Sequence, residues 1–233
     1  MRGNAFDVIE RATRLTDSVV VGVSGGKDSI VTLDLCVKYF KKVEGYFLYF
    51  VEGLSFQDKY LGYLERRYGM AFHRLPHWRL STMLKQAVYR PHTISALSVP
   101  KISVKDIEFS LSGLTGIDWF ATGQKSLDSI DRNAMLKRCD GVDEKSKRIY
   151  PLTCWNNANV FNYLKLKKIP LPPDYTMFAF NKNASYGEMS GLCLKVIKDT
   201  YPEDYGKILT VFPFAEAAVK KYEFATEHEV SKV

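Results

Sequence analysis

The segment Ser24-Gly25-Gly26-Lys27-Asp28-Ser29 brings together residue types that bind a phosphate group. Its two glycines let the backbone turn tightly and approach an anion without a clash at Cβ. The two serines supply hydroxyl donors and Lys27 supplies a cation. A helix that begins near Asp28 points its first N–H groups at the same place. Together these features predict a concave site for a phosphate or pyrophosphate group.

The spacing of this segment differs from that of two common nucleotide-binding loops. The Walker A pattern is Gly-x-x-x-x-Gly-Lys-Ser/Thr. Here only three residues separate Gly22 from Gly26, and Asp28 follows the lysine. The Gly-x-Gly-x-x-Gly pattern of dinucleotide-binding folds does not match either. The segment is therefore a phosphate loop of another type.

Alternating strand and helix patterns must position this loop. The β-branched run before it is typical of a buried parallel strand, and the apolar residues after it indicate a largely buried helix. Strands are predicted at 19–23, 46–51, 71–75, 118–123 and 148–152, and helices at 28–40, 57–68 and from about 156 to 167. This alternation indicates an α/β fold with a five-stranded, mostly parallel sheet and helices on both faces.

Ligands of such sheets bind beyond the carboxyl ends of the strands. The loops to search are therefore those after Val23, Val51, Thr122 and Leu152.

The 233 residues suit one α/β domain with a helical appendage. We expect a nucleotide-binding domain over 1–180 and a helical C-terminal extension over 181–233 that packs on it. Helical patterns dominate this extension, with Pro202 and Pro213 at or near helix starts. No apolar run is long enough to cross a bilayer, and the N-terminal segment lacks the apolar core of a signal peptide. We expect a cytoplasmic protein without a membrane partner.

Net charge and cysteine content limit the classes of function that the protein could have. The formal charge of +7 is suited to a nucleic acid or a polyphosphate ligand, and a solvated basic surface is the alternative. The spacing of Cys36, Cys139, Cys154 and Cys193 fits no zinc or iron–sulfur pattern. We expect four reduced thiols, mostly buried.

The Ser24–Ser29 loop resembles the pyrophosphate loop of the ATP pyrophosphatase (PP-loop, adenine nucleotide alpha hydrolase-like) superfamily. Within it, the chain is most similar to the phosphoadenosine-phosphosulfate (PAPS) reductase family, over residues up to about 180. The resemblance implies a Rossmann-like, HUP-type sheet with strand order 3-2-1-4-5. It also implies that ATP or PAPS is the ligand, with Mg²⁺ and without zinc or an iron–sulfur cluster.

Two further loops carry the resemblance. After the second strand, Val51-Glu52-Gly53-Leu54 stands where the family has an Asp-Thr-Gly-Leu-like turn whose backbone lies near the adenine. After the fourth strand, Thr122–Arg132 resembles Thr-Gly-x-Arg-x-x-Glu-Ser-x-x-Arg. Lys125 replaces the first arginine there and Asp128 replaces the glutamate, so the charge signs are kept. The fork of an arginine, which allows bidentate phosphate binding, is lost at 125.

The resemblance assigns roles to residues of these three loops. The catalytic residues are Lys27, Asp28 and Arg132. The nucleotide-binding residues are Ser24, Gly25, Gly26, Lys27, Asp28, Ser29, Phe50, Val51, Gly53, Gly123, Lys125 and Ser129. Asp28 is also the expected ligand of Mg²⁺.

The chain departs from the family at its end. PAPS reductases attack the sulfonucleotide with a cysteine in a Glu-Cys-Gly-Ile/Leu-His tail, whereas no cysteine follows Cys193 here. Cys193 itself lies in an apolar helical run. The Tyr201–Tyr205 stretch makes the shortened PAPS-reductase-like proteins of bacteriophages the most similar type, which would place the protein in a host cytoplasm.

Three functions are compatible with these patterns. The first is an enzyme that cleaves ATP between its α- and β-phosphates and transfers AMP to a substrate, in nucleic-acid or sulfur-related modification. The second is a sulfonucleotide reductase that uses Cys193 or the thiol of a partner. The third is a non-catalytic nucleotide-binding or DNA-associated protein. A homodimer and a thiol or sulfur-donor protein are further partners that the resemblance leaves open.

Overall fold

The computed structural model describes residues 4–173, 175 and 189–230. The chain falls into two compact units, neither of which is one continuous segment. The first unit contains residues 1–48, 61–75 and 104–172, and the second contains 49–60, 76–103 and 173–233. The predicted domain boundary between residues 180 and 181 lies outside the described residues and stays a prediction.

Helices and strands alternate through the first part of the chain, and helices dominate the end. The helices are α1 Ala5–Thr13, α2 Lys27–Tyr39, α3 Ser55–Tyr68, α4 Trp78–Lys85, α5 Ile94–Leu97, α6 Val104–Thr115, α7 Ile130–Cys139, α8 Asn157–Leu166, α9 Gly191–Thr200, α10 Pro202–Val211 and α11 Ala215–Val230. The strands are β1 Ser18–Gly22, β2 Lys42–Tyr49, β3 Phe72–Pro76, β4 Phe120–Ala121, β5 Val142–Asp143 and β6 Arg148–Ile149. Within the described ranges, no helix is both long enough and apolar enough to cross a membrane.

The strands form one sheet in the order β3-β2-β1-β4-β6-β5. β1 pairs in parallel with β2 and β4, and β4 pairs in parallel with β6. The predicted α/β class and mostly parallel sheet are confirmed, and β6 takes the fifth place of the expected strand order. The predicted number of five strands was wrong, because β5 adds an antiparallel edge.

The short hairpin between β5 and β6 explains why the sixth strand was missed. Each of its strands has two residues, too few for an alternating pattern to be recognised. The turn is held by local polar contacts, in which the Ser146 N–H donates to Asp143 Oδ1 at 3.2 Å. Lys147, at the end of the turn, adopts a φ of 52°. A positive φ is uncommon for residues other than glycine, so a lysine at this position does not predict the turn.

The core of the first unit lies around β1 and α2. Val19, Val20 and Val21 are fully buried, as expected for a parallel strand with both faces covered. The buried residues of α2 are Ser29, Ile30, Val31, Thr32, Leu33, Leu35 and Cys36. The predicted buried strand and largely buried helix are therefore confirmed.

In the second unit, the C-terminal helices share a core with the turn after β2. This cluster includes Phe50, Val51, Phe56, Cys193 and Phe212. The buried carboxylate of Asp204 in α10 accepts hydrogen bonds from the Ser55 hydroxyl at 2.7 Å and from the Phe56 N–H at 3.3 Å. It thus caps the start of α3, where N–H groups lack helical partners. Burial opposes its ionisation, but these bonds and the Lys207 amine lower the pKa of Asp204.

The sequence signals for the C-terminal helices are largely correct. Pro202 occupies the first turn of α10, where its missing N–H costs nothing. α11 begins at Ala215, shortly after Pro213. The helices of the predicted C-terminal extension are therefore present.

We predict that Gly191→Ala destabilises the contact between α9 and α11. A Cβ at this position would lie 2.3 Å from the Ala218 carbonyl oxygen and 2.8 Å from the Tyr222 Cβ. Moving the backbone of Ala218 away from the new Cβ costs free energy. The substitution should therefore lower the free energy of unfolding by about 1–3 kcal/mol, as measured by urea denaturation.

Gly206→Ala is the matched control within the same unit. No atom lies within 4 Å of its added Cβ. Because alanine is a better helix former than glycine, this variant should raise the free energy of unfolding by up to about 1 kcal/mol. Equal effects of the two substitutions would contradict the close contact at Gly191.

Candidate functional site

The phosphate loop connects β1 to α2, as its sequence predicts. β1 ends at Gly22, and α2 begins at Lys27 with Gly26 as its N-cap residue. Gly25 adopts a φ of +77°, which glycine tolerates without strain. The first N–H groups of α2 therefore border the loop, where the helix dipole favours an anion.

The two serines of the loop hold it closed. The Ser29 hydroxyl donates to the Gly26 carbonyl at 2.8 Å and accepts from the Ser24 N–H at 3.2 Å. Ser24 Oγ lies 3.3 Å from Ser29 Oγ and accepts a long bond of 3.4 Å from the Gly26 N–H. The serines thus stabilise the conformation of the loop. This structural role is additional to the predicted donation of their hydroxyl groups to a phosphate.

Asp28 joins two lysines. Its Oδ2 lies 2.8 Å from Lys27 Nζ and 2.7 Å from Lys125 Nζ. Its Oδ1 is buried and has no hydrogen-bond partner among the described residues. The Lys27 amine also lies 5.9 Å from the centre of the Phe161 ring. One carboxylate therefore shares its charge between two ammonium groups at the start of α2.

Lys125 is buried, with 3% of its side chain exposed, rather than a surface cation. Besides Asp28, it lies 3.3 Å from Asp128 Oδ1. The other oxygen of Asp128 accepts from the Lys125 N–H at 3.0 Å and from Arg132 at 3.2 Å. Burial opposes the ionisation of Asp128, but the Lys125 N–H and the nearby cations lower its pKa. The predicted residues of this loop thus form a chain of alternating charges that reaches the phosphate loop.

Gly123 allows the β4 loop to lie directly on the first turn of α2. A Cβ there would lie 2.6 Å from the Asp28 carbonyl carbon and 2.9 Å from the Ser29 nitrogen, both backbone atoms. No side chain fits in that space. The position therefore has a packing reason that is independent of any ligand.

Helix α7 was not predicted, although its signals are present in the sequence. Ser129 is its N-cap residue and accepts from the Arg132 N–H at 3.2 Å, and Asp131 lies in its first turn. A capping serine followed by an acid is typical of a helix start.

Phe50, Val51 and Gly53 belong to the second unit, whereas the phosphate loop belongs to the first. The side chains of Phe50 and Val51 are buried in the core. The Gly53 carbonyl accepts a hydrogen bond from the Lys207 amine. The side chains of Phe50 and Val51 therefore belong to the core of the second unit, and the predicted roles of these residues in nucleotide binding stay predictions.

The cysteines differ in burial. Cys36 and Cys193 are buried, Cys139 is intermediate and Cys154 is exposed, so the expectation of mostly buried thiols holds for two of the four. Burial raises the pKa of the Cys36 thiol well above its usual range. Across the described part of the chain, no group of three or more His, Cys, Asp or Glu side chains could hold a metal ion.

We predict that Lys125→Met destabilises the first unit. The substitution leaves two partly buried carboxylates without a shared cation, which should cost about 3 kcal/mol in the free energy of unfolding. The matched control Lys147→Met removes an ion pair with Asp118 that is half exposed. Its loss should lower the free energy of unfolding by less than about 1 kcal/mol. Chemical denaturation measures both, and equal losses would contradict a supporting role of Lys125.

Comparison with known proteins identifies the family. A model of the phosphoadenosine phosphosulfate reductase domain matches residues 18–177. No curated protein matches the chain. The structure is similar to that of phosphoadenylyl-sulfate (PAPS) reductase from Candida auris in a phosphate complex, with a TM-score of 0.52, 16% identity and coverage of 79% of this chain and 88% of that one.

The NH3-dependent NAD synthetase from Campylobacter jejuni, in complex with nitrate, has a TM-score of 0.47 and 13% identity over 94% of this chain and 91% of that one. The likeness to the Candida auris structure shows the fold, and the family model spans most of the chain. The chain therefore belongs to the phosphoadenosine phosphosulfate reductase domain family, a family of nucleotide-binding enzymes.

Proposed function

We propose that the protein cleaves ATP between its α- and β-phosphates and transfers AMP to a substrate oxygen, with release of pyrophosphate. The observation that carries this proposal is the closed loop between β1 and α2, with Gly26 as the N-cap of a buried helix. Such a helix start binds anions through its N–H groups and its dipole. Pyrophosphate is the leaving group that such a loop would hold.

The side chains of the loop have distinct parts in this reaction. The N–H groups near Gly25 and Gly26 bind pyrophosphate, and the Lys27 amine stabilises the charge that develops on it. Asp28 holds the Lys27 and Lys125 amines at 2.8 and 2.7 Å and so orients the cation that faces the phosphates. Arg132, whose side chain is half exposed, is the second cation of the proposal.

Mg²⁺ enters the proposal as the counter-ion that ATP carries on its phosphates, where it neutralises developing charge. Asp28 by itself fits this ion poorly. Its Oδ2 already contacts two ammonium groups, and its Oδ1 is buried. The predicted Mg²⁺ ligand at Asp28 stays a prediction that this arrangement does not favour.

The acceptor of the AMP group is proposed to be a nucleic acid. The net charge of +7 supports this class, because basic proteins attract polyanions. The cytoplasm is the proposed compartment.

A second candidate function is the reduction of PAPS. Cys154 is exposed and follows β6, beyond the carboxyl end of a parallel strand. The carbonyl of its neighbour Thr153 accepts from the Ser126 N–H at 3.1 Å, next to Lys125. In this reaction the Cys154 thiolate attacks the sulfonucleotide sulfur and the adenosine bisphosphate leaves with the bonding electrons. A thiol of a dithiol protein then attacks Cys154 and releases sulfite.

We predict that Lys27→Ala weakens ATP binding by about 10- to 100-fold, because it removes a charge-assisted hydrogen bond. Lys41→Ala is the matched control, since 80% of that side chain is exposed. Equilibrium binding of labelled ATP gives both affinities. Unchanged affinity of Lys27→Ala would overturn the assignment of the loop.

Product analysis then separates the candidate reactions. With labelled ATP, Mg²⁺ and nucleic acid, the proposed enzyme forms AMP-modified substrate or AMP, together with pyrophosphate. With PAPS, dithiol and thioredoxin, a reductase releases sulfite instead, and Cys154→Ser abolishes that product while Cys139→Ser retains it. Nucleotide binding without either product would favour a non-catalytic, nucleotide-binding protein.

A further inference from the structure

The exposed side of α8 carries an aromatic ring and cations but no carboxylate, since neither Asp nor Glu occurs between residues 155 and 173. Phe161 is 40% exposed, and Lys165, one helical turn further along, is exposed as well. Lys167 and Lys168 follow at the C-terminal end of the helix. The buried residues of α8 are Val160, Tyr163 and Leu164. The helix therefore packs through these residues and presents the ring and the lysines to solvent.

The end of α8 concentrates positive charge. The Lys168 N–H donates to the Lys165 carbonyl at 3.1 Å, so the chain turns tightly there. Arg67 of α3 donates to the Lys167 carbonyl at 2.9 Å and adds a fourth cation. Among the described residues, none of the three lysines is within ion-pair distance of a carboxylate. Such an uncompensated group of cations attracts a polyanion.

One acidic group packs against this helix from α2, and it is already engaged. The Asp34 carboxylate accepts hydrogen bonds from the Tyr163 hydroxyl at 2.7 Å and from the Tyr68 hydroxyl at 2.8 Å. Both hydroxyls remain protonated at pH 7, because burial and this carboxylate raise the pKa of each tyrosine well above its usual range. Asp34 therefore serves the packing of α2, α3 and α8 and forms no ion pair with the lysines.

The aromatic end of this surface lies at the phosphate loop. The Lys27 amine is 5.9 Å from the centre of the Phe161 ring. Lys165 lies one turn, or about 6 Å, further along the helix. α2, α3 and α8 belong to the same unit. A ligand that lies along α8 would therefore reach the loop that is proposed to hold the phosphates of ATP.

We infer that the surface formed by Phe161, Lys165, Lys167, Lys168 and Arg67 binds single-stranded nucleic acid. The cations bind its phosphates, and one base stacks on the Phe161 ring. An exposed ring favours a single strand over a duplex, because only unpaired bases can be splayed out to stack on a side chain. The inference rests on the proposed transfer of AMP to a nucleic acid, and it identifies where that acceptor binds.

The first test separates this surface from the net charge of the protein. Anisotropy of a labelled single-stranded oligonucleotide, without ATP, measures the affinity at several salt concentrations. The double substitution Lys165→Ala/Lys168→Ala should weaken binding and reduce the slope of log K against log salt by about 1.4, since each phosphate contact in a single strand contributes about 0.7.

Lys105→Ala/Lys145→Ala is the matched control. Both lysines are exposed in the same unit and their loss removes the same charge. This variant should keep the salt slope of the wild type. Equal changes in the two double variants would show that net charge alone attracts the strand, and would overturn the inference.

The second test concerns the ring. Phe161→Leu keeps an apolar side chain but removes the stacking surface, so it should weaken binding of the oligonucleotide about five- to fiftyfold. Binding of an abasic strand of the same length should not change. An equal loss with both strands would indicate that Phe161 only supports the fold of α8, and would overturn its role in binding.

The remaining outcomes distinguish this inference from the proposed reaction. Equal or tighter binding of a duplex, or displacement of the strand by polyglutamate at the same concentration of charge, would overturn the inference. A strand that binds through α8 in a protein that forms no AMP would support the inference and refute the adenylation. Formation of AMP from ATP by a protein that binds no strand would overturn the inference and support the cleavage of ATP.

Discussion

The contact between Gly123 and the first turn of α2 is the constraint on which the candidate site depends. Backbone meets backbone there, because no Cβ intervenes. This approach brings the loop after β4 against the phosphate loop and allows Lys125 to reach Asp28 at 2.7 Å. The lysine is buried as a consequence, and a buried cation requires the carboxylates that surround it.

The ion pairs of this cluster also limit the chemistry that it can perform. Lys27, Lys125 and Arg132 are balanced by Asp28 and Asp128, so the side chains contribute a small excess of positive charge. In the proposed reaction, neutralisation of a polyphosphate would draw on the N–H groups of the loop and on the helix dipole. Such fixed dipoles are already oriented when charge develops, which suits a pyrophosphate leaving group.

Buried and neutral groups surround the turn after β2 in the second unit. Phe50 and Val51 belong to its core, and His77 is held neutral beside Phe50. Asp204 caps α3 partly through Ser55, 149 positions away in the chain, which ties the turn after β2 to the C-terminal helices.

The sequence alone determined the strand–loop–helix unit around Ser24–Ser29 and the α/β class, because these follow from local patterns. The order of the parallel strands was expected only from the family resemblance. Only the tertiary structure decided that Lys125 is a buried partner of Asp28, that Cys154 rather than Cys193 is exposed, and that His77 stacks on Phe50. Residues distant in sequence create each of these environments. Burial and charge pairing depend on which segments meet, and no local pattern encodes that.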